Sequence, residues 1–395
     1  MNILVLSPRD PIPVYTGLLE RIYQTYQYLG SENQVCVCFP NLPSQNGKEE
    51  GRFPDKIAFE RVCLESPILD LFDKNIPHYS WLRGIYQTHP WLYRAVHEQI
   101  NSFEPDVIIV EMPFLVPLAS MASHGRDIPL VLTEHNVQFK ITERLDIPGT
   151  RALRWFESAV GNRVDYVLTV SETDRETLDK HILTPILVSP NGVDTTKYSP
   201  KNEPIDQELL EQDRTDEPLF VYHGSLGNAQ NSEAIDLLVD RIFPTIRKKY
   251  PNAQLMLIGS DPPNIEQEGV FTTGLVDDLP SYIASADVAL VPLLSGSGTK
   301  LKILEYMASG VPVVTTSIGA EGLPIEDGTH AYIEDNWEDF VKKAEKLVGS
   351  RGLYKRLASN ARTLVENKFS WEETLRPYDQ ILDEVRDSKS FTNCC

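Results

Sequence analysis

Short, wholly apolar runs recur along this chain, each followed by a longer amphipathic stretch, and no other feature constrains the fold as strongly. Val107-Ile-Ile-Val110 is one such run. A run without a polar face suits a strand covered on both sides, as in a parallel sheet between helices. Ile3–Leu6, Gln34–Phe39, Leu130–Thr133 and Tyr166–Val170 are the other strands expected in the first half. Helical periodicity fills Leu18–Leu29, Pro90–Phe103 and Gly149–Arg163. Strands alternating with helices make βαβ units and a doubly wound α/β sheet. Between Pro40 and Pro90 the pattern weakens and no element is assigned.

The alternation breaks after Asn191-Gly-Val-Asp194 and restarts beyond an acidic, proline-bounded stretch, Pro200–Pro218, read as the interdomain region. Strands are expected at Leu219–His223, Gln254–Gly259, Val270–Thr273, Val288–Pro292 and Val311–Thr315. Helices are expected at Asn231–Lys249 and Leu279–Ser285, with three closing helices at Trp337–Lys346, Arg351–Glu366 and Trp371–Asp387. A chain of 395 residues is too long for one comfortable core. Two Rossmann-like domains are therefore expected, residues 1–200 and 201–370, followed by a helix and tail over 371–395 that returns toward the first domain. Ligands of open α/β sheets bind beyond the carboxyl ends of the strands. The site is expected where two such sheet ends face one another across a cleft.

A net charge of −20 argues against binding a nucleic-acid backbone. Residues 1–200 carry 18 basic and 25 acidic groups, against 19 and 32 in the remainder. The less acidic first half is thus the part suited to a membrane-bound or anionic acceptor, although a solvated acidic surface explains the charge equally well. No run approaches the roughly 18 apolar residues that span a bilayer. Asn2–Ser7 lacks the basic start and long apolar core of a secretory signal. A cytoplasmic location is expected, with peripheral contact at the inner face of a membrane left open. Five cysteines are too few for a disulfide framework and fit a reducing compartment. Cys36 and Cys38 share one face of a strand, which is packing and not zinc spacing. Cys394 and Cys395 lack the frame of a prenylation signal.

The sharpest motif is Ser295-Gly-Ser-Gly-Thr-Lys-Leu-Lys-Ile-Leu-Glu-Tyr-Met-Ala-Ser-Gly310-Val-Pro312. A buried strand runs into a small-residue loop that opens a helix, and Gly310 and Pro312 stop it. Gly296 and Gly298 allow close backbone approach to a ligand. The free N–H groups of a helix start attract phosphate. Ser297 and Thr299 can cap or donate. Lys300 and Lys302 stand in the first turn, where a cation opposes the helix dipole, which suggests an anion between them. Glu305, three residues past Lys302, can accept two hydroxyl hydrogen bonds of the kind a ribose diol offers. The plain alternative is a capped helix with a surface Lys302–Glu305 pair worth about 0.2–0.5 kcal/mol.

Gly296–Gly319 resembles the donor-binding segment of the retaining glycosyltransferases of family 4, which have the GT-B fold. Other segments agree in order: Tyr222-His-Gly-Ser-Leu-Gly-Asn-Ala-Gln-Asn231, Leu257-Ile-Gly-Ser260, Thr273-Gly-Leu-Val-Asp277, Val188-Ser-Pro-Asn-Gly-Val-Asp194 and Thr133-Glu-His-Asn136. The resemblance implies transfer of a sugar from a nucleotide-diphosphate donor to a hydroxyl acceptor, with retention of configuration. The acceptor would be a glycan, a lipid-linked molecule or a small molecule. In the family, a Glu at the Glu305 position holds the ribose, and the loop and helix start hold the pyrophosphate. The implied donor-binding set is Gly224, Ser225, Asn231, Gly259, Val276, Ser297, Gly298, Thr299, Lys300, Lys302 and Glu305. His135, Lys300 and Glu305 are the implied catalytic residues, and Gly17 marks the acceptor-side loop. No Asp-x-Asp is placed for a metal, so neither metal nor cofactor is expected.

The sequence also departs from the family. Ser297 stands where many members have the first of two carboxylates eight positions apart. Ser225 and the Gln230–Asn231 region replace an Arg and a Lys, and Lys300 is the candidate to supply that missing charge. The usual double glycine of the first loop is reduced to Tyr15-Thr-Gly17-Leu. Glu134 is a candidate to orient the His135 ring, and His223 reads as structural. A sugar-nucleotide epimerase on the same fold and a catalytically silent donor-binding subunit are the rival readings. A dinucleotide dehydrogenase is disfavoured, because no Gly-x-Gly-x-x-Gly follows the first strand.

Overall fold

A computed structural model describes residues 1–8, 10, 12, 17–40, 59–64, 90–144, 146–205, 217–296 and 299–392. Ser297, Gly298, Cys394, Cys395, most of the 41–89 stretch and the middle of the Pro200–Pro218 segment lie outside these residues. The chain divides into two compact units, Met1–Pro190 with Leu375–Cys395, and Asn191–Thr374. Hydrogen bonds fix where the second unit begins. Val193 N donates to Phe369 O at 2.7 Å, and Arg362 donates to Thr195 O at 2.8 Å and Tyr198 O at 2.6 Å.

The first unit runs β1 (Asn2–Leu6), α1 (Gly17–Gly30), β2 (Gln34–Pro40), β3 (Phe59–Leu64), α2 (Pro90–Phe103), β4 (Val107–Glu111), α3 (Val116–Ala122) and β5 (Leu130–Glu134). It continues with α4 (Gln138–Arg144), α5 (Thr150–Gly161), β6 (Tyr166–Thr169), α6 (Glu172–Leu178) and β7 (Ile186–Val188). Its seven strands lie in the order β3-β2-β1-β4-β5-β6-β7, every pairing parallel. The strand order reverses between β1 and β4. The apolar runs hold the centre: every residue of β4 and β5 is buried. β3, last in the strand order among the described residues, escaped the sequence reading because its segment, Phe-Glu-Arg-Val-Cys-Leu, interrupts the apolar run with two charges, a composition common in edge strands.

The second unit runs β8 (Leu219–His223), α7 (Ala229–Leu237), α8 (Phe243–Arg247), β9 (Gln254–Ile258), β10 (Val270–Gly274), α9 (Leu279–Ala284), β11 (Val288–Val291) and α10 (Leu301–Ala308). After these come β12 (Val313–Thr315), α11 (Ser317–Ala320), β13 (Tyr332–Ile333), α12 (Trp337–Val348) and α13 (Arg351–Lys368). The six strands lie in the order β10-β9-β8-β11-β12-β13, again all parallel, with the reversal between β8 and β11. The single helix expected over Asn231–Lys249 is three pieces, because a π segment at Leu238–Ile242 joins α7 to α8. Pro244, in the first turn of α8, has no N–H to give the carbonyl four residues back, and the wider turn accommodates that loss.

α14 (Trp371–Thr392) starts in the second unit and continues in the first. Within the first unit its buried Tyr378 hydroxyl lies 3.0 Å from Thr133 Oγ1, under the end of β5. No helix among the described residues is long and apolar enough to cross a membrane.

Candidate functional site

In each sheet the loops that leave the reversal point are where ligands of this architecture bind. In the second unit these loops follow β8 and β11. The β8 loop can turn only because of two glycines. Gly224 has φ 148° and Gly259 φ 143°, and a Cβ on Gly259 would lie 1.7 Å from Gly224 O. The β11 loop reaches α10 through Gly296 (φ 127°), where a Cβ would meet Gln230 Oε1 at 2.3 Å. Ser295 Oγ anchors this loop on Glu233 Oε2 at 2.7 Å.

α10 then presents its side chains to the β8 turn, and its end is a tight stop. Gly310 (φ 72°) donates to Met307 O and Val311 to Tyr306 O, which satisfies two terminal carbonyls before Pro312. Consequently β12 begins at Val313 and not at Val311. At the other end Lys300, not Thr299, is the N-cap, with extended backbone and no side-chain cap bond. Thr299 Oγ1 is instead held by Asn191 Nδ2 at 2.6 Å.

Lys302 and Glu305 do not form the surface pair that their spacing suggests. Lys302 Nζ donates to Tyr222 Oη and Asn231 Oδ1, each at 2.8 Å, and sits 4.0 Å from the Tyr222 ring centroid. Burial pushes its ammonium down to about 7, the Glu305 charge partly opposing and the Lys300 charge adding to the drop. Glu305 Oε2 is bonded to His223 Nε2 at 2.7 Å. Burial alone would raise this carboxyl, but the His223 ring, a Tyr198 hydrogen bond and the Lys197 charge outweigh it and hold it below its ordinary value. His223 is itself fixed, its N–H donating to Tyr306 Oη at 2.8 Å and its ring meeting the Tyr306 ring edge-on.

The other expected residues divide. Gly224 stands over Lys302, and a Cβ there would lie 3.1 Å from Nζ. The Lys302 ammonium thus stands beside the β8 turn, and the Lys300 charge is near enough to act on it. Asn231 is turned inward: Oδ1 accepts from Tyr222 at 2.6 Å as well as from Lys302, and Nδ2 donates to Ser225 O at 2.7 Å. Its amide supports Lys302 and Ser225. Val276 packs its side chain on the core beside the exposed Leu275. Ser297 and Gly298 fall outside the described residues.

In the first unit, His135 follows β5 and is buried. Its partner is Glu111, the last residue of β4, with Nε2 and Oε2 2.6 Å apart. Glu134, the expected partner, points the other way and lies among Glu157 and Asp174. Burial, with those two charges, raises its carboxyl well above the ordinary range. Glu157 caps α4 by accepting from Gln138 N and Phe139 N, each at 2.8 Å, yet burial still raises it to about 8. Gly17 is the exposed first residue of α1. Among the described residues no cluster of three His, Cys, Asp or Glu side chains could hold a metal ion.

The model of Glycosyltransferase Family 4 matches residues 17–197, and that of Glycosyl transferases group 1 matches residues 217–350. The chain belongs to the family 4 glycosyltransferases. It is 22% identical to a putative glycosyltransferase, YtcC, of Bacillus subtilis (strain 168), over 82% of this chain and 84% of that one. Its fold is similar to that of sucrose-phosphate synthase from Thermosynechococcus elongatus, with a TM-score of 0.77 at 16% identity, covering 98% of this chain and 100% of that chain. It is also similar to Anabaena HepE in complex with UDP and glucose, with a TM-score of 0.70 at 16% identity, covering 97% and 100% of the two chains. This glycosyltransferase therefore has the two parallel Rossmann-like sheets of the GT-B class. Sequence reasoning missed two residues at its sheet ends, Glu111 as the partner of His135 and His223 as the partner of Glu305. The only sequence signal for either was a polar residue closing an apolar strand.

Proposed function

We propose that this glycosyltransferase moves a sugar from a nucleotide-diphosphate donor to a hydroxyl acceptor with retention of anomeric configuration. The observation that supports this reading is the grouping of Lys302 and Glu305 on α10 beside the glycine turn at Gly224. On this reading Glu305 accepts hydroxyls of the nucleotide ribose. Lys300, Lys302 and backbone amides at the start of α10 meet the charge of the leaving diphosphate. Gly224, Ser225, Gly259, Val276, Ser297, Gly298 and Thr299 approach the donor, and Asn231 holds Lys302 in place. His135 contacts the transferred sugar, and Gly17 belongs to the acceptor side. The cations serve the role that a metal serves elsewhere, so no metal is assigned. The acceptor proton passes to the departing phosphate. The less acidic first unit is the part proposed to meet a membrane-bound acceptor, which binding to anionic vesicles tests.

Calorimetric titration with UDP, GDP, ADP and TDP, without added metal, tests the donor site. HepE was solved with UDP, so UDP is tried first. Micromolar binding of one nucleotide, lost in Glu305→Gln, is the expected result. No binding of any of the four would sink the donor-site assignment, whereas tight binding of one without donor hydrolysis or transfer would favour the silent donor-binding subunit.

A further inference from the structure

Glu111 ends β4 directly opposite Thr133 of β5. His135 lies two residues past Thr133, so strand alternation brings its ring to the same side as Glu111. The carboxylate and the ring meet at 2.6 Å, with the two side chains 1% and 5% exposed. The second ring nitrogen, Nδ1, is buried and has no hydrogen-bond partner among the described residues. A carboxylate on Nε2 keeps the proton of a neutral imidazole there and leaves Nδ1 as the lone pair.

The backbone beside Glu111 is unusual as well. Met112 has φ 110°, outside the range comfortable for a side-chain-bearing residue, while its N–H still bonds to Thr133 O at 3.2 Å. Such a conformation persists only where its surroundings hold it, and it clusters at functional positions. Behind the carboxylate stand the buried Arg21 and Tyr26 of α1 and Tyr378 of α14. Arg21 is pinned by its own bonds to Pro190 O at 2.7 Å and Ser189 Oγ at 3.0 Å.

We propose that Glu111 is a positioning residue: it holds His135 as the Nε2–H tautomer, so that Nδ1 accepts a hydrogen bond from a substrate hydroxyl. This rests on the reading of His135 as the sugar contact. The tautomer can be read in the full chain labelled with 15N-histidine, from long-range proton–nitrogen spectra at neutral pH. The His135 signals are those that disappear in His135→Asn. The wild-type ring is expected to carry its proton on Nε2. In Glu111→Gln the ring should move to the other tautomer or a mixture, and kcat for transfer should fall about tenfold or more while nucleotide affinity holds. Glu111→Asp should keep the wild-type tautomer and recover much of kcat. A wild-type ring protonated on Nδ1, or an unchanged tautomer in Glu111→Gln, overturns the proposal. The wild-type spectrum decides even if the Gln variant does not fold. Full transfer activity in His135→Asn would instead overturn the sugar-contact reading, whatever the tautomer.

Discussion

Glu305 gives a carboxylate oxygen to His223, 2.7 Å away, and forms no ion pair with Lys302 one helical turn before it. The bond fixes the carboxylate at the β8 turn and keeps it ionised. Glu305→Gln should weaken nucleotide binding by about 1.5–3 kcal/mol, the range for hydrogen bonds to a charged group. His223→Phe keeps an aromatic ring against Tyr306 but frees the carboxylate, and should cost about 1 kcal/mol. Titration calorimetry reads both. Equal affinity in the wild type and Glu305→Gln would remove Glu305 from the site.

Lys302 titrates at about 7 because it is buried, so its charge is lost just where most enzymes are assayed. Below that pH it is a cation available to a diphosphate, and above it the charge goes. Nucleotide affinity should therefore fall as pH rises through 7, and Lys302→Met should flatten the curve. The unfolded lysine keeps its proton up to the ordinary 10.5, so the ligand-free protein should gain stability between about 7 and 10.5 from this group. Affinity that stays level from about pH 6 to 9 would show that the bound anion meets some other cation.

The apolar strands were legible because a parallel sheet covered on both faces leaves them no polar position. Glu305 was singled out as a candidate because a glycine loop, two lysines and a helix stop surround it in sequence. Its real partner was not, since His223 lies 82 residues away and is brought there by the β8–β11 pairing. The same holds for Glu111, 24 residues from His135. Adjacency misled there: Glu134 precedes His135, and successive strand residues face opposite sides of the sheet. Spacing misled on α10 as well, where Lys302 is drawn to Tyr222 and Asn231, two residues that chain order does not place beside it.

The Gly224–Gly259 contact makes a sharper stability prediction. A methyl group at residue 259 would overlap Gly224 O, and the backbone there already has a φ that only glycine holds easily. Relief requires β8 and β9 to separate at the ends that carry the site. Gly259→Ala should lose about 3 kcal/mol or more in denaturant unfolding, or fail to fold. Gly352→Ala is the contrast: nothing lies within 4 Å of its added methyl, and α13 favours alanine, so it should be neutral or stabilising by about 0.5–1 kcal/mol. Comparable losses at both positions would argue against the clash.

Glu134 should make the first unit respond to pH in the opposite sense to Lys302. It is buried, its Oε2 has no donor among the described residues, and Glu157 and Asp174 are its charged neighbours. Its carboxyl is held well above the ordinary 4.5, and Glu157 at about 8. The folded state thus keeps protons that the unfolded chain releases near 4.5, and stability should decline as pH rises from about 5 toward 8. Glu134→Gln keeps the shape and removes the charge. It should match the wild type near pH 5 and exceed it by about 1–3 kcal/mol near pH 8, the cost of an unpaired buried group. Urea unfolding at a series of pH values reads both curves. A wild-type curve that is level over this range, or a Gln variant less stable at the alkaline end, would show that Glu134 finds compensation when ionised.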